Sequence, residues 1–114
     1  MITSVDQHAE SAPAAKLFCG LGDRTRLAIV ALLASGEQRV TDIVGALNGT
    51  QSNISGHLKC LKECGLVIDR PAGREVYYRI AHDEVVDLLR SAEQLRAVAG
   101  YRIELCPSYE PDSV

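Results

Sequence analysis

The chain has 114 residues, of which 46% are hydrophobic and 24% charged, a balance suited to one domain with a modest core. No apolar run is long enough to span a membrane, and the start, MITSVDQHAES, lacks the basic opening and apolar centre of a signal peptide, so a cytoplasmic location without membrane partners is expected. A net charge of −3 excludes wholesale electrostatic attraction to nucleic acid and leaves room only for a local basic face. The whole of 1–114 reads as a single domain, with 1–12 and 107–114 expected to be flexible.

In chain order, PAAKLFC (Pro13 to Cys19) predicts a short helix carrying Leu17 and Phe18, with Cys19 read as a small buried hydrophobe. The run GLGD breaks it, and Asp23 is a good N-cap for RTRLAIVALLASG. Every residue from Leu27 to Ala34 is apolar, which predicts a helix buried on most sides, central to the core and ended by Gly36. Thr41 is the expected cap of the short helix DIVGAL, and Asn48-Gly49 makes a tight turn.

Thr50 to Gly65, TQSNISGHLKCLKECG, then reads as one helix, with Thr50 as N-cap and Gly65 as the stop. Ile54, Leu58 and Leu61 recur at helical spacing and face a core; at about 100° per residue, Asn53, His57, Cys60 and Cys64 form a second stripe. Two helices joined by a glycine-containing turn make a helix-turn-helix, whose second member starts with the polar residues Gln51, Ser52, Asn53 and Ser55, suited to base edges. After Gly65 the period changes. LVIDR, PAG and REVYYRI predict a hairpin, a wing whose tip carries Arg70 and Arg74 for phosphate or minor-groove contact.

Between His57 and Arg79, five basic residues (Lys59, Lys62, Arg70, Arg74, Arg79) stand against Glu63, Asp69 and Glu75, whereas from Ala81 onward acids outnumber bases seven to three. This local basic middle fits DNA better than the net charge does. From Asp83 to about Val98 a helix resumes, with Val85, Leu88, Leu89, Ala92, Leu95 and Val98 on one broad apolar face. In so small a domain that face is expected to be covered by a second copy. Cys106, next to Pro107, is expected in an extended tail.

Four cysteines in a cytosolic chain point to metal binding, redox chemistry or burial rather than disulfides. Residues four apart on a helix have Cβ atoms about 5–6 Å apart, so Cys60 and Cys64 can converge on one soft ion, while their parallel directions suit a disulfide poorly. Thiolates select Cd(II), Pb(II), Hg(II), As(III), Zn(II) or Cu(I). A thiol-based redox or persulfide sensor uses the same residues. His57 can serve as a metal ligand, a phosphate contact or a packing residue. No His/Asp constellation accompanies a cysteine in a catalytic pattern and no phosphate-binding glycine loop occurs, so an enzyme is not expected.

GLGDRTRLAIVALLASGE, TDIVGAL, QSNISGHLKCLKECGLV and GREVYYRI together resemble the ArsR/SmtB family of bacterial metal-responsive repressors, over roughly Leu17 to Ile80. The resemblance implies a mainly α fold with a small β-hairpin, a dimeric winged helix-turn-helix whose first and last helices form the dimer. It also implies binding to a palindromic operator and release by an ion. One family site, Cys-Val-Cys-Asp at the first helix of the helix-turn-helix, is replaced here by Arg39-Val40-Thr41-Asp42. Another, between C-terminal helices, needs several histidines, and Asp83 to Val98 has none. The arrangement is most similar to the CmtR-like cadmium/lead sensors, which implies ligands at Cys60, Cys64 and Cys106, with Cd(II) or Pb(II) favoured over As(III), Hg(II) and Zn(II). The implied DNA-binding set is Thr50, Gln51, Ser52, Asn53, Ser55, His57, Lys59, Arg70 and Arg74.

Overall fold

The computed structural model describes residues 11–104, with side chains through residue 100. Its elements are α1 (Ala12–Leu21), α2 (Arg24–Leu33), β1 (Gln38–Arg39), α3 (Val40–Leu47), α4 (Gln51–Glu63), β2 (Val67–Ala72), β3 (Glu75–Ile80) and α5 (Asp83–Glu104). The strands form one antiparallel sheet in the order β1-β3-β2. The fold is a winged helix-turn-helix, with α3 and α4 as the helical pair and β2–β3 as the wing. Among the described residues no helix is long and apolar enough to cross a membrane.

The core collects one stripe from each element: Leu21 from α1, Ile29, Val30 and Leu33 from α2, Ile43 from α3, Ile54, Leu58 and Leu61 from α4, then Leu66, Val67 and Val85. The predicted α4 stripe is fully buried. The all-apolar α2 is less enclosed than expected: Ile29, Val30 and Leu33 are buried, but Leu27 is 43% exposed and Ala31 is exposed. Its neighbours within the protomer cover one side only.

Local chemistry sets the element ends. The Asp23 carboxylate accepts from the Arg26 backbone N–H at 2.9 Å, the N-cap expected for α2. That bond, with further help from the Arg26 charge, holds the Asp23 carboxyl below its ordinary pKa. Asp23→Ala should therefore destabilise the fold by about 1 kcal/mol at neutral pH. Because the native pKa is the lowered one, this contribution is full above the ordinary carboxylate value and disappears as pH falls through the native value. Urea denaturation at neutral and at strongly acidic pH checks the sign: the gap between wild type and variant should shrink in acid.

The cap expected at Thr41 falls instead at Arg39, and α3 starts at Val40. Asp42 accepts from the Arg39 backbone N–H at 3.4 Å and from its guanidinium at 3.1 and 3.0 Å, which closes the helix start without the Thr41 hydroxyl. Gln38 and Arg39 also pair with Tyr78 and Tyr77 as β1, a third strand that a two-residue run could not announce. In the turn between α3 and α4, Asn48 takes the left-handed conformation (φ 54°). Gly49 is needed for space: a Cβ there would stand 3.1 Å from the Ile54 side chain. At the end of α4, Gly65 (φ 77°) donates to Lys62 O and Leu66 to Leu61 O, each at 3.0 Å, a Schellman stop with Leu61 and Leu66 both buried.

The first helix outruns its expected span and ends at Leu21, because Gly20 and Leu21 are buried against the rest of the domain. Cys19 is exposed rather than buried. The half-buried Leu17 and the buried Leu21 define the inward stripe of α1, and Phe18, 58% exposed, lies off it with Cys19. The last helix also runs past its expected end near Val98, but Ala99 breaks its regularity (φ −117°, ψ 16°) at that point. Residues 1–10 and 105–114 lie outside the described residues, and with them Cys106 and the two termini read as flexible, except that Ser11 and Ala12 are described and α1 already starts at Ala12.

Candidate metal centre and nucleic-acid interface

The start of α4 is capped and polar. Thr50 Oγ accepts from the Asn53 backbone N–H at 3.1 Å, and Gln51, Ser52, Asn53 and Ser55 are exposed. Farther along, Lys59 is exposed, and neither it nor Arg74 forms an ion pair among the described residues. His57 turns inward: Nδ1 lies 3.4 Å from Arg26 Nη1 and 3.9 Å from Asp23 Oδ2. It ties α4 to α2.

The wing is docked by ion pairs at its base. Lys62 of α4 reaches Asp69 of β2 at 3.0 Å. Arg70 makes a fork on Glu37, with Nε to Oε2 at 3.1 Å and Nη2 to Oε1 at 2.8 Å, and its Cζ sits 4.6 Å from the Tyr77 ring centroid. Glu37 is held below its ordinary pKa by this bond. Arg70 thus sits within β2 rather than at the tip, and so does Pro71, tolerated because β2 is an edge strand. The tip is Gly73-Arg74, with Gly73 at φ 65°.

At the other end of α4, Cys60 is half-buried and Cys64 exposed. They lie one turn apart on the same face of the helix end. Desolvation first, then the neighbouring Cys60, pushes the Cys64 thiol up from its ordinary pKa, with Arg26 pulling the other way. The pair lines a pocket with Glu63 and with Pro13, Lys16 and Leu17 of α1. Among the described residues no group of three ligand-type side chains could hold a metal. Within the described residues the pair by itself offers two sulfur donors.

A family model for bacterial regulatory proteins of the arsR family matches residues 23–69, from the α2 cap into the wing. The HTH-type transcriptional regulator CmtR of Mycobacterium tuberculosis is 36% identical over 107 aligned residues, covering 82% of this chain and 91% of that one. The chain belongs to the arsR family. A further relative of this ArsR-family chain is the arsenical resistance operon repressor of Escherichia coli, 48% identical over 67 residues. That match covers 58% of the present chain and 57% of the relative's length. Among solved structures, the homodimeric winged helix-turn-helix DNA-binding domain from Mycobacterium bovis superposes with a TM-score of 0.72 at 33% identity, covering 87% of this chain and 91% of that one.

Sequence reasoning missed the role of Arg26, and the signal was present. An arginine in the first turn of a helix opposes the dipole, so its presence there, ahead of an unbroken apolar run, called for a partner elsewhere. Its partners are the carbonyls at the end of α1.

Proposed function

We propose that this ArsR-family chain is a cytoplasmic transcriptional repressor that binds a palindromic operator as a homodimer and is released when a soft thiophilic ion binds cysteine thiolates. Cd(II) or Pb(II) is the favoured ion. The observation that carries this reading is the Cys60–Cys64 pair, lining one pocket at the end of the helix whose first turns present Gln51, Ser52, Asn53 and Ser55. Cys106 is the proposed third ligand. The arsenic-related relative supports a second reading, As(III) on the same thiolates; Hg(II) and Zn(II) share the donor preference.

The homodimer reading is supported by uncovered apolar surface on α1 and α5. Phe18 is 58% exposed, Leu95 62% and Val98 83%, apolar surface that a second copy would cover. Operator binding in the presence and absence of Cd(II), Pb(II), Hg(II) and As(III) tests the whole reading. Release by one or more ions supports it; binding indifferent to all four defeats it.

Of Arg70 and Arg74, Arg74 is the proposed phosphate contact, and Arg70 acts by holding the wing to Glu37 and Tyr77. Arg74→Gln should flatten the dependence of log affinity on log salt by about 0.9 per protomer. Arg70→Gln should weaken binding while leaving that slope nearly unchanged. Equal slope changes for both would place Arg70 on the DNA backbone as well.

A further inference from the structure

Three elements meet at one side chain that neither DNA reading nor ion ligation uses. Arg26 Nε donates to Gly20 O at 2.7 Å and Nη2 to Cys19 O at 3.5 Å, both at the carbonyl-rich C-terminal end of α1, where a cation is favoured. Its third arm, Nη1, faces His57 Nδ1 in the middle of α4 at 3.4 Å. Asp23 fixes the base of the residue through the backbone bond at 2.9 Å. A guanidinium only donates, so a hydrogen bond at this contact takes Nδ1 as its acceptor.

The same terminal turn of α1 also touches the cysteine pair. A Cβ added to Gly20 would meet Cys64 Sγ at 3.8 Å, and Pro13, Lys16 and Leu17 wall the pocket in which Cys60 and Cys64 sit. The end of α1 therefore has the thiols beside it and the Arg26 fork upon it, and that fork reaches back to α4 one turn before Cys60.

We propose that Arg26 is the positioning residue that couples the Cys60–Cys64 site to the DNA-reading start of α4, through its joint hold on the Gly20 carbonyl and His57. The proposal rests on the thiolate-sensor reading above. An ion held at Cys60 and Cys64 enters the pocket that Pro13, Lys16 and Leu17 of α1 wall, and so changes the spacing between α4 and α1. A rigid planar fork bonded to both sides cannot follow that change and keep all its partners. Giving up His57 removes the polar tie between α4 and α2 and leaves the core stripe as their contact, which changes the orientation of Gln51, Ser52 and Asn53. The element thus has two discrete arrangements, bridged and unbridged, whose balance both sites bias.

The test is operator affinity with and without Cd(II), alongside Cd(II) affinity read from thiolate-to-metal absorption, in wild type, Arg26→Gln and Arg26→Lys. Cd(II) should weaken operator binding by wild type about tenfold or more, within the usual range of coupling. In both variants that factor should fall below about threefold, while Cd(II) affinity stays within about threefold of wild type. A clamp with only a structural role would lower operator affinity and leave the Cd(II) factor intact, which overturns the proposal. The His57 Nδ1 nitrogen signal of the wild-type chain keeps the test open should the variants not fold. It should move on Cd(II) addition, and an unmoved signal overturns the proposal. A wild type indifferent to every ion sinks the sensor reading and the coupling with it; a responsive wild type beside an equally responsive Arg26→Gln sinks the coupling alone.

Discussion

Replacing either Cys60 or Cys64 by serine should abolish the release of operator DNA by Cd(II), while metal-free protein still binds operator within about threefold of wild type, since surface substitutions seldom shift energies beyond about 0.5 kcal/mol. The two halves of this expectation come from different parts of α4. The thiols sit in its last turn, beside α1, and the polar residues proposed to read bases lie two to three turns earlier. A serine oxygen is a hard donor that does not replace a thiolate for a soft ion. Two thiolates already underfill such a site, so the loss of one leaves too few donors. The pH dependence has a definite sign. Desolvation and Cys60 raise the Cys64 pKa, so the free protein keeps this thiol protonated at neutral pH and ion binding must expel the proton. Affinity for Cd(II) should therefore rise with pH through the neutral range, by up to about tenfold per unit for each thiol displaced. Titration at several pH values, with proton release followed in weak buffer, checks this; affinity flat with pH would mean that the thiols are not the ligands.

The largest effect on stability is expected from Leu58→Ala. Leu58 is completely buried on the α4 stripe between Ile54 and Leu61, inside the core cluster that joins α2, α3, α4, the wing and the start of α5. Its truncation removes apolar burial and leaves a cavity that surrounding helices fill only in part, a loss of about 2–5 kcal/mol. Against a total of about 5–15 kcal/mol for a domain of this class, that is a large fraction. The melting temperature should fall by more than about 10 °C. By contrast, Leu95→Ala in the exposed stretch of α5 should hardly change the stability of a monomer. Its effect should appear as weaker self-association, measurable by sedimentation at several protein concentrations, which separates the core stripe from the proposed dimer face.

Much of the site is written along α4 itself. The spacing of Ile54, Leu58 and Leu61 names the buried face, Thr50 and Gly65 name the ends, and the four-residue spacing of Cys60 and Cys64 puts both on one pocket. The stripe Asn53–His57–Cys60–Cys64 is also real as geometry, but the structure divides its members. Asn53 is exposed at the reading end, His57 is drawn to Arg26, and only the two cysteines act on each other. Periodicity shows which residues share a face. It does not show which neighbouring element stands opposite each of them.

Caps, turns and stripes depend on residues within a turn or two of one another, and such short-range chemistry made the helices, the Asn48-Gly49 corner and the wing readable from the chain. Two families of feature needed the tertiary structure. Long charged side chains chose partners far away in sequence: Arg70 found Glu37 and Tyr77, and Arg26 found His57 and the end of α1. Burial of ambiguous apolar residues was the other. Leu27, Phe18 and Cys19 are exposed within the protomer because α1 and α2 each have neighbours on one side only, a fact of packing that an apolar run does not contain. The physical reason is the same in both cases. Local backbone chemistry is settled by adjacent residues, whereas exposure and ion pairing are settled by whichever surface the folded chain brings opposite.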